Sequence, residues 1–426
     1  MPFEQAVHRV VLPNGCVALL AEQPALPVVA LYAIVAYGSR YEPESQAGLA
    51  SLLGDMLDEG TAQHTAQDIA LAIEATGARL NTFGGYARSG LSLTALRDDF
   101  PRLLTIAADL LRHSRFPEDR FALCQARRLA QLRSRADDAR TVASDAFDAL
   151  VYPGHPAGRP IVGYETTVSQ LTVDDLRAAY ARFFVPNNLL IAIVGDLPVA
   201  EMERRLMEVL ADWEPAPDFL LPTVPPVARQ TVPQEQVLPR PDKEQIHILL
   251  GHLGINRTHP DYHALRVMDV ILGDSPGMTA RIPRILRDDL GLAYTTYANI
   301  TSTAGVDPGR FVAYIGTSPE HQTKAIAAIR DEIERMRQEV VTPEELAAAK
   351  AYLTGSFVFN FETNAQRALF LIETEIHGLG DDYAQRYPER IDAVTAEEVL
   401  RVSQLHLNPS ALTTVIAGPV SSDAGS

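Results

Sequence analysis

Two histidines, His259 and His263, stand four residues apart, with His252 nearby. On a helix that spacing puts two imidazoles on one face, the arrangement of a metal-binding pair. The tripeptide His259-Pro260-Asp261 reads instead as a helix start with proline in the first turn, which leaves His259 ahead of the helix. We therefore read the two as surface histidines. His247 lies in the apolar run Ile246-His247-Ile248-Leu249-Leu250 and reads as a sheet or core histidine. Gly273-Asp274-Ser275-Pro276-Gly277 has neither the lysine nor the spacing of a phosphate loop and reads as a turn between helices. These five residues also spell G-x-S-x-G, but a turn between helices is not the strand-to-helix turn of a nucleophile elbow, and no P-loop occurs. Arg287 and Tyr294 are a different kind of candidate. An arginine offers several fixed donors and a permanent charge, and a tyrosine hydroxyl can donate to a carbonyl oxygen. The plain alternative is a cation beside a helix C-terminus and an ordinary strand aromatic. Cys16 and Cys124 are too few for a disulfide framework; they fit a reducing compartment or two small buried side chains.

The elements that must carry these residues come in two similar sets. The segment LTVDDLRAAYARFFVPNNLLIAIVGD starts at Leu171, and VTAEEVLRVSQLHLNPSALTTVIAGP starts at Val394. They align without a gap at an offset of 223, pairing Thr172 with Thr395, Pro186 with Pro409, Leu189 with Leu412, Ile193 with Ile416 and Gly195 with Gly418. Each reads as a threonine N-cap with two acids in the first turn, an amphipathic helix, a proline break, an apolar strand and a glycine. All of these devices fall in register, which makes duplication the better reading. Between the halves, residues 214–243 contain eight prolines, from Pro215 to Pro241. Proline fixes φ and lacks a backbone donor, so a helix or central strand is not expected through most of this stretch. We read residues 215–243 as a linker between a domain at 1–214 and another at 244–426.

Each half opens with strands, at 11–21 and 27–37 in the first and 245–250 in the second. In the first half helices are expected at 46–59 and 66–76, short strands around Leu80 and Leu91, and a long helical stretch over 100–150. In the second, helices are expected at 261–272 and 278–289. Strands and helices are grouped, not strictly alternating, which favours an α+β fold over a doubly wound parallel sheet.

Composition narrows the function. The 426 residues suggest two or three domains, and 46% hydrophobic with 21% charged residues is ordinary globular composition. The net charge of −17 argues against nucleic acid or an anionic membrane as a general partner, because both need a basic surface. No apolar run reaches the roughly 18–20 residues of a membrane helix. The first ten residues hold no basic segment followed by an apolar core. The expected compartment is the cytoplasm, or the periplasm if a signal peptide has been removed.

The run Gly48-Leu49-Ala50-Ser51-Leu52-Leu53-Gly54-Asp55-Met56-Leu57-Asp58-Glu59-Gly60-Thr61 resembles the pitrilysin and mitochondrial processing peptidase family of zinc proteases. In that family the same frame reads G-L-A-H-x-x-E-H-M-L-x-x-G-T. The resemblance extends to His155-Pro156-Ala157-Gly158-Arg159-Pro160, to Val194-Gly195-Asp196 and to Gly291-Leu292-Ala293-Tyr294, and so spans essentially the whole chain. It implies two tandem homologous domains, each a mainly antiparallel sheet packed with helices.

The family's chemistry does not carry over. H-x-x-E-H places two imidazoles one helical turn apart with a glutamate beside them as general base. Here the two histidine positions hold Ser51 and Asp55, and the glutamate position holds Gly54. The family's third ligand, a glutamate about 76 residues on, falls at Gln131. A zinc site wants three or four His, Cys or carboxylate ligands, and only Asp55 is competent. No metal and no independent activity are expected in this chain. The resemblance implies that Arg287 and Tyr294 correspond to the family's R-x₆-Y pair, which binds substrate and the developing oxyanion across a closed chamber. It also implies that Asn81 matches an asparagine at the sheet edge where peptide substrates add as a strand. The expected role is that of a non-zinc subunit in a heterodimeric zinc metalloendopeptidase, with zinc in a paralogous partner and peptides as substrates. The rival expectation is a catalytically silent structural or peptide-binding core protein of the same family.

Overall fold

The computed structural model of the chain describes residues 6–275, 279–293 and 295–420. In the first half the elements run β1 (His8–Val11), β2 (Val17–Glu22), β3 (Val28–Val35), α1 (Leu49–Met56), α2 (Ala66–Glu74), β4 (Arg79–Gly84), β5 (Ser89–Leu96), α3 (Phe100–His113), α4 (Glu118–Asp137), α5 (Ala139–Val151), α6 (Glu165–Val168), α7 (Val173–Phe183), β6 (Leu189–Gly195) and α8 (Val199–Leu210). The second half continues with β7 (Gln234–Pro239), β8 (Ile246–Leu253), α9 (Tyr262–Leu272), α10 (Arg281–Pro283), β9 (Thr296–Asn299), β10 (Arg310–Thr317), α11 (Gln322–Gln338), α12 (Pro343–Phe357), α13 (Asn364–Ile376), α14 (Tyr383–Asp392), α15 (Ala396–His406) and β11 (Thr413–Gly418).

The duplication is visible in the sheets. The first has the order β1-β2-β6-β3-β5-β4 and the second β7-β11-β8-β10-β9. Without β1 the two orders correspond strand for strand. In each sheet one pair is parallel, β2 with β6 and β7 with β11, and the other pairs are antiparallel. The α+β expectation with mainly antiparallel sheets holds. The repeated segment folds as its devices dictate. Thr172 and Thr395 each accept the backbone N–H of the residue three on, and Asp175 and Glu398 reach back to complete a capping box. Pro186 and Pro409 each open a short 3-10 turn that leads into an apolar strand.

Within the proline-rich stretch, residues 214–233 form no regular element, and β7 then pairs only with β11. An edge strand tolerates proline because only one of its sides must supply ladder donors. The long helical stretch expected over 100–150 is three helices. Pro117, and Asp138 in an extended conformation with its carboxylate accepting the Thr141 N–H, mark the two breaks. The helix expected at 278–289 is the short α10 followed by a π-helical turn, Arg284–Asp289; Met278 lies outside the described residues. Among the described residues no helix is long and apolar enough to cross a membrane.

The chain forms two compact units, and they do not follow the sequence halves. One comprises the described residues up to Arg133, with Pro160–Val224 and Val358–Asp381; the other comprises Ser134–Arg159, Pro225–Phe357 and the described residues from Asp382 on. The linear division at 214 and 244 therefore misses two exchanged segments. Helix α13 lies in the second half, yet Ala368, Leu371 and Ile372 pack on Leu19, Ala21, Ile34, Ala192 and Val194 of the first sheet. Helix α5 lies in the first half, yet Ala143, Phe147 and Val151 pack on Leu249, Val312, Val415 and Ala417 of the second sheet. Each is an apolar stripe at helical spacing. The stripe specifies a buried face but not which sheet covers it.

Candidate functional site

Helix α1 begins at Gly48, where a positive φ of 101° suits glycine. The buried Glu42 carboxylate accepts the N–H of Gly48 at 3.0 Å and that of Ala50, satisfying donors that a helix start leaves unpaired. Ser51, Gly54 and Asp55 then share one face of α1 at i, i+3 and i+4. Ser51 is buried and Asp55 is exposed.

Gly54 is more than a missing side chain. A Cβ at this position would lie 2.2 Å from the Gly84 amide nitrogen, and a Cβ on Gly84 would lie 1.7 Å from the Ala50 carbonyl oxygen. The backbones of α1 and β4 meet with glycine on both sides. The position of the family's general base has no room for any side chain.

Helix α4 brings Gln131 to the same place, together with a residue that the sequence reading missed. The Arg128 guanidinium donates to Asp55 Oδ2 through Nη2, and to Gln131 Oε1 through Nη1 at 3.0 Å. Its side chain is 7% exposed, against 45% for Asp55. A signal was present in the sequence: Arg128 stands three residues before Gln131, one helical turn away on the same face. One turn further, Glu59 at the end of this segment accepts from Arg120 and from Arg127. Arg127 also donates to the Cys124 sulfur, whose thiol is pushed up by burial. Burial likewise pushes up the Asp58 carboxyl, against a hydrogen bond from Thr82.

These residues do not fit a zinc ion. Ser51 and Gln131 are neutral oxygen donors, Asp55 already carries a guanidinium, and Gly54 cannot hold a base. Asn81 lies exposed on β4, the outer strand of its sheet, in register with Ser92 of β5. The fold thus gathers Ser51, Gly54, Asp55, Gln131 and the strand that carries Asn81 in one unit.

Arg287 belongs to the other unit, on the π-helical turn Arg284–Asp289, where it is half-buried. The turn closes at Gly291, with a φ of 62°, whose amide donates to the Arg287 carbonyl at 3.1 Å. Leu286 and Leu292 are buried and fix the segment from within. Tyr294 lies outside the described residues.

The histidines sort differently from their spacing. His263 is half-buried, not on the surface, and faces the Tyr383 hydroxyl at 3.2 Å; burial pushes it down to about 4. His259 does precede its helix, and its Nδ1 accepts the Asp261 N–H at 3.1 Å. Asp261 in turn accepts from Arg401 at 2.6 Å and from His406 at 2.7 Å, which hold it down to about 2. The ligating atoms of His259, Asp261 and His406 lie within 4.8 Å of one another. The Asp261 carboxylate and His259 Nδ1 already accept hydrogen bonds, so the cluster works as a hydrogen-bonded network that ties the start of α9 to the end of α15. His247 on β8 faces the Tyr314 hydroxyl at 2.9 Å, as a sheet histidine should.

Comparison with known proteins agrees with this architecture. Residues 17–164 match the family model described as insulinase (peptidase family M16), and residues 170–353 match the one described as peptidase M16 inactive domain. An uncharacterised zinc protease of Mycobacterium leprae is 27% identical over 94% of this chain and 89% of its own length. Another from Bacillus subtilis is 24% identical over 84% of this chain and 85% of its own length. Among solved structures, a peptidase M16 inactive domain from Pseudomonas fluorescens superposes with a TM-score of 0.90 at 26% identity, covering 98% of this chain and 99% of that one. A protease from Helicobacter pylori shares the fold, with a TM-score of 0.88 at 18% identity over 96% of this chain and 98% of its own. Strand order, duplicated halves and two successive family matches lead to one assignment: the chain belongs to the M16 peptidase family, the family of pitrilysin and insulinase, and carries a degenerate form of its metal motif.

Proposed function

We propose that this chain is the non-zinc subunit of a heterodimeric M16 peptidase. The observation that carries the reading is the occupied cleft between α1 and α4: Arg128 bridges Asp55 and Gln131, and Gly54 abuts Gly84 where a base would be needed. The fold is retained while the means of hydrolysis is absent. A paralogous partner supplies the zinc and its general base. This chain supplies the facing wall of the chamber, the outer strand β4 with Asn81 for a peptide in extended form, and Arg287 with Tyr294. In that role the guanidinium holds a substrate carbonyl, and the phenol donates to the oxygen as negative charge builds on it. A chamber of this kind admits unfolded peptides and small proteins and excludes large folded ones.

The test is reconstitution with a paralogue that keeps H-x-x-E-H. The isolated chain is expected to cleave no peptide. The pair is expected to co-elute and to bury upward of roughly 2,000 Å². Tyr294→Phe deletes only a hydroxyl and is expected to cost the pair on the order of 10²–10³ in kcat with pairing intact. Two separate species at micromolar concentration would refute the partnership. Unchanged kcat/KM in Tyr294→Phe and Arg287→Lys pairs would place the chain among the catalytically silent core proteins instead.

A further inference from the structure

The cleft between α1 and α4 holds a cation of its own. Arg128 sits on the inner face of α4 with its guanidinium between Asp55 of α1 and Gln131 of α4, two of the positions that correspond to metal ligands in the family motif. Its side chain is 7% exposed, and its Nε finds no acceptor among the described residues. Among the described residues, the guanidinium is oriented by its hydrogen bonds to Asp55 and Gln131. Arg120 and Arg127 on the same helix bind Glu59, so α4 faces the end of the α1 segment with arginines that match its acids.

We propose that the Arg128 guanidinium is a protein-borne replacement for the family's metal: it cross-links α1 to α4 through Asp55 and Gln131, and it bars divalent cations from the cleft. The chemistry supports both halves. A guanidinium is planar, stays charged at every physiological pH, and presents several donors in a fixed fork. It can join two oxygen acceptors on different helices as a metal joins ligands, but no chelator can remove it. It also neutralises Asp55, the one competent zinc ligand left, and places a fixed positive charge where a cation would have to enter. Reverting the ligand residues alone should therefore not restore a metal site.

The experiment uses the full chain. The variant S51H/D55H/Q131E restores three ligand types and leaves Gly54 untouched. It is compared with the same variant carrying Arg128→Ala, after equilibration with zinc and removal of the unbound ion. Metal analysis reads zinc per chain, with folding checked by circular dichroism and sizing. We expect almost no zinc while Arg128 is present and about one zinc per chain once it is removed. Equal loading in both, or no loading in either, would overturn the exclusion. The cross-link is tested without reverting any ligand. Arg128→Ala alone is expected to lower Tm by roughly 2–4 °C, with Arg128→Lys in between, and EDTA is expected to leave the unaltered chain unchanged. An unchanged Tm in Arg128→Ala would overturn the cross-link whether or not the reverted variants fold.

Discussion

Phe183 and His406 occupy the same position in the two copies of the repeat, the last residue of α7 and of α15. Both are almost fully buried. Phe183 stacks on the Tyr37 ring at 4.3 Å, with Tyr41 and Phe219 beside it. His406 instead donates to Asp261, which Arg401 also holds, and its ring lies against that of His259. The same backbone turn is closed by an aromatic stack in one unit and by a hydrogen-bonded network around Asp261 in the other. Duplication has preserved what the backbone requires, namely the threonine cap, the proline break and the strand that follows. The contents of the pocket were free to diverge, provided that each buried polar atom gained a partner.

The largest effect should come from the exchanged helices. Phe147→Ala in α5 is expected to cost about 3–5 kcal/mol, and Leu371→Ala in α13 about 2–5 kcal/mol. The informative readout is where the loss falls. Hydrogen exchange should quicken in β8 and β11 for Phe147→Ala, although residue 147 lies in the first half of the sequence. It should quicken in β3 and β6 for Leu371→Ala. Loss confined to the sheet of the same sequence half would break the two-unit description.

Swapping the turn residues sharpens the comparison itself. His406→Phe removes one of the two side-chain donors to Asp261 and is expected to cost about 1–3 kcal/mol. Phe183→His should cost more, because it buries a polar ring among the aromatic rings of Tyr37, Tyr41 and Phe219. Equal and negligible losses in denaturant melts would mean that the two pockets are interchangeable. The network also has an acid signature. Asp261 is held from 3.8 down to about 2, chiefly by its hydrogen bond from Arg401. A depressed carboxylate contributes stability that is present above its unfolded value and is lost as pH falls through its folded one. Stability should therefore fall as the pH drops from about 4 to 2, and Asp261→Asn should flatten that slope. A slope unchanged in Asp261→Asn would remove the network from the account.

The smallest effect tests what the halves share. Thr172→Ala and Thr395→Ala each delete a capping-box acceptor and should each cost about 1 kcal/mol. Similar losses at both sites would show that the two caps remain equivalent; a large loss at one alone would show that its helix end has taken on another task.

The sequence by itself determined the repeat, because caps, proline breaks and apolar runs act within a few residues of their own position. It made a helix or a central strand unexpected through most of residues 215–243, and the structure has only the edge strand β7 there. The expectation of no zinc here also comes from residue type, since Ser51 and Gln131 are poor zinc ligands and Gly54 has no side chain to accept a proton. Tertiary structure decided the rest. The periodicity of α5 and α13 announces an apolar face but carries no information on which sheet will cover it, and each helix crosses to the other half's sheet. Arg128 reads as one of several arginines on a long helix until α1 brings Asp55 against it. The spacing of His259 and His263 suggested a pair, whereas the contact that forms joins His259 and Asp261 to His406, some 145 residues along the chain. Local chemistry is written in neighbours, and these three outcomes depend on partners that only the folded chain brings within bonding distance.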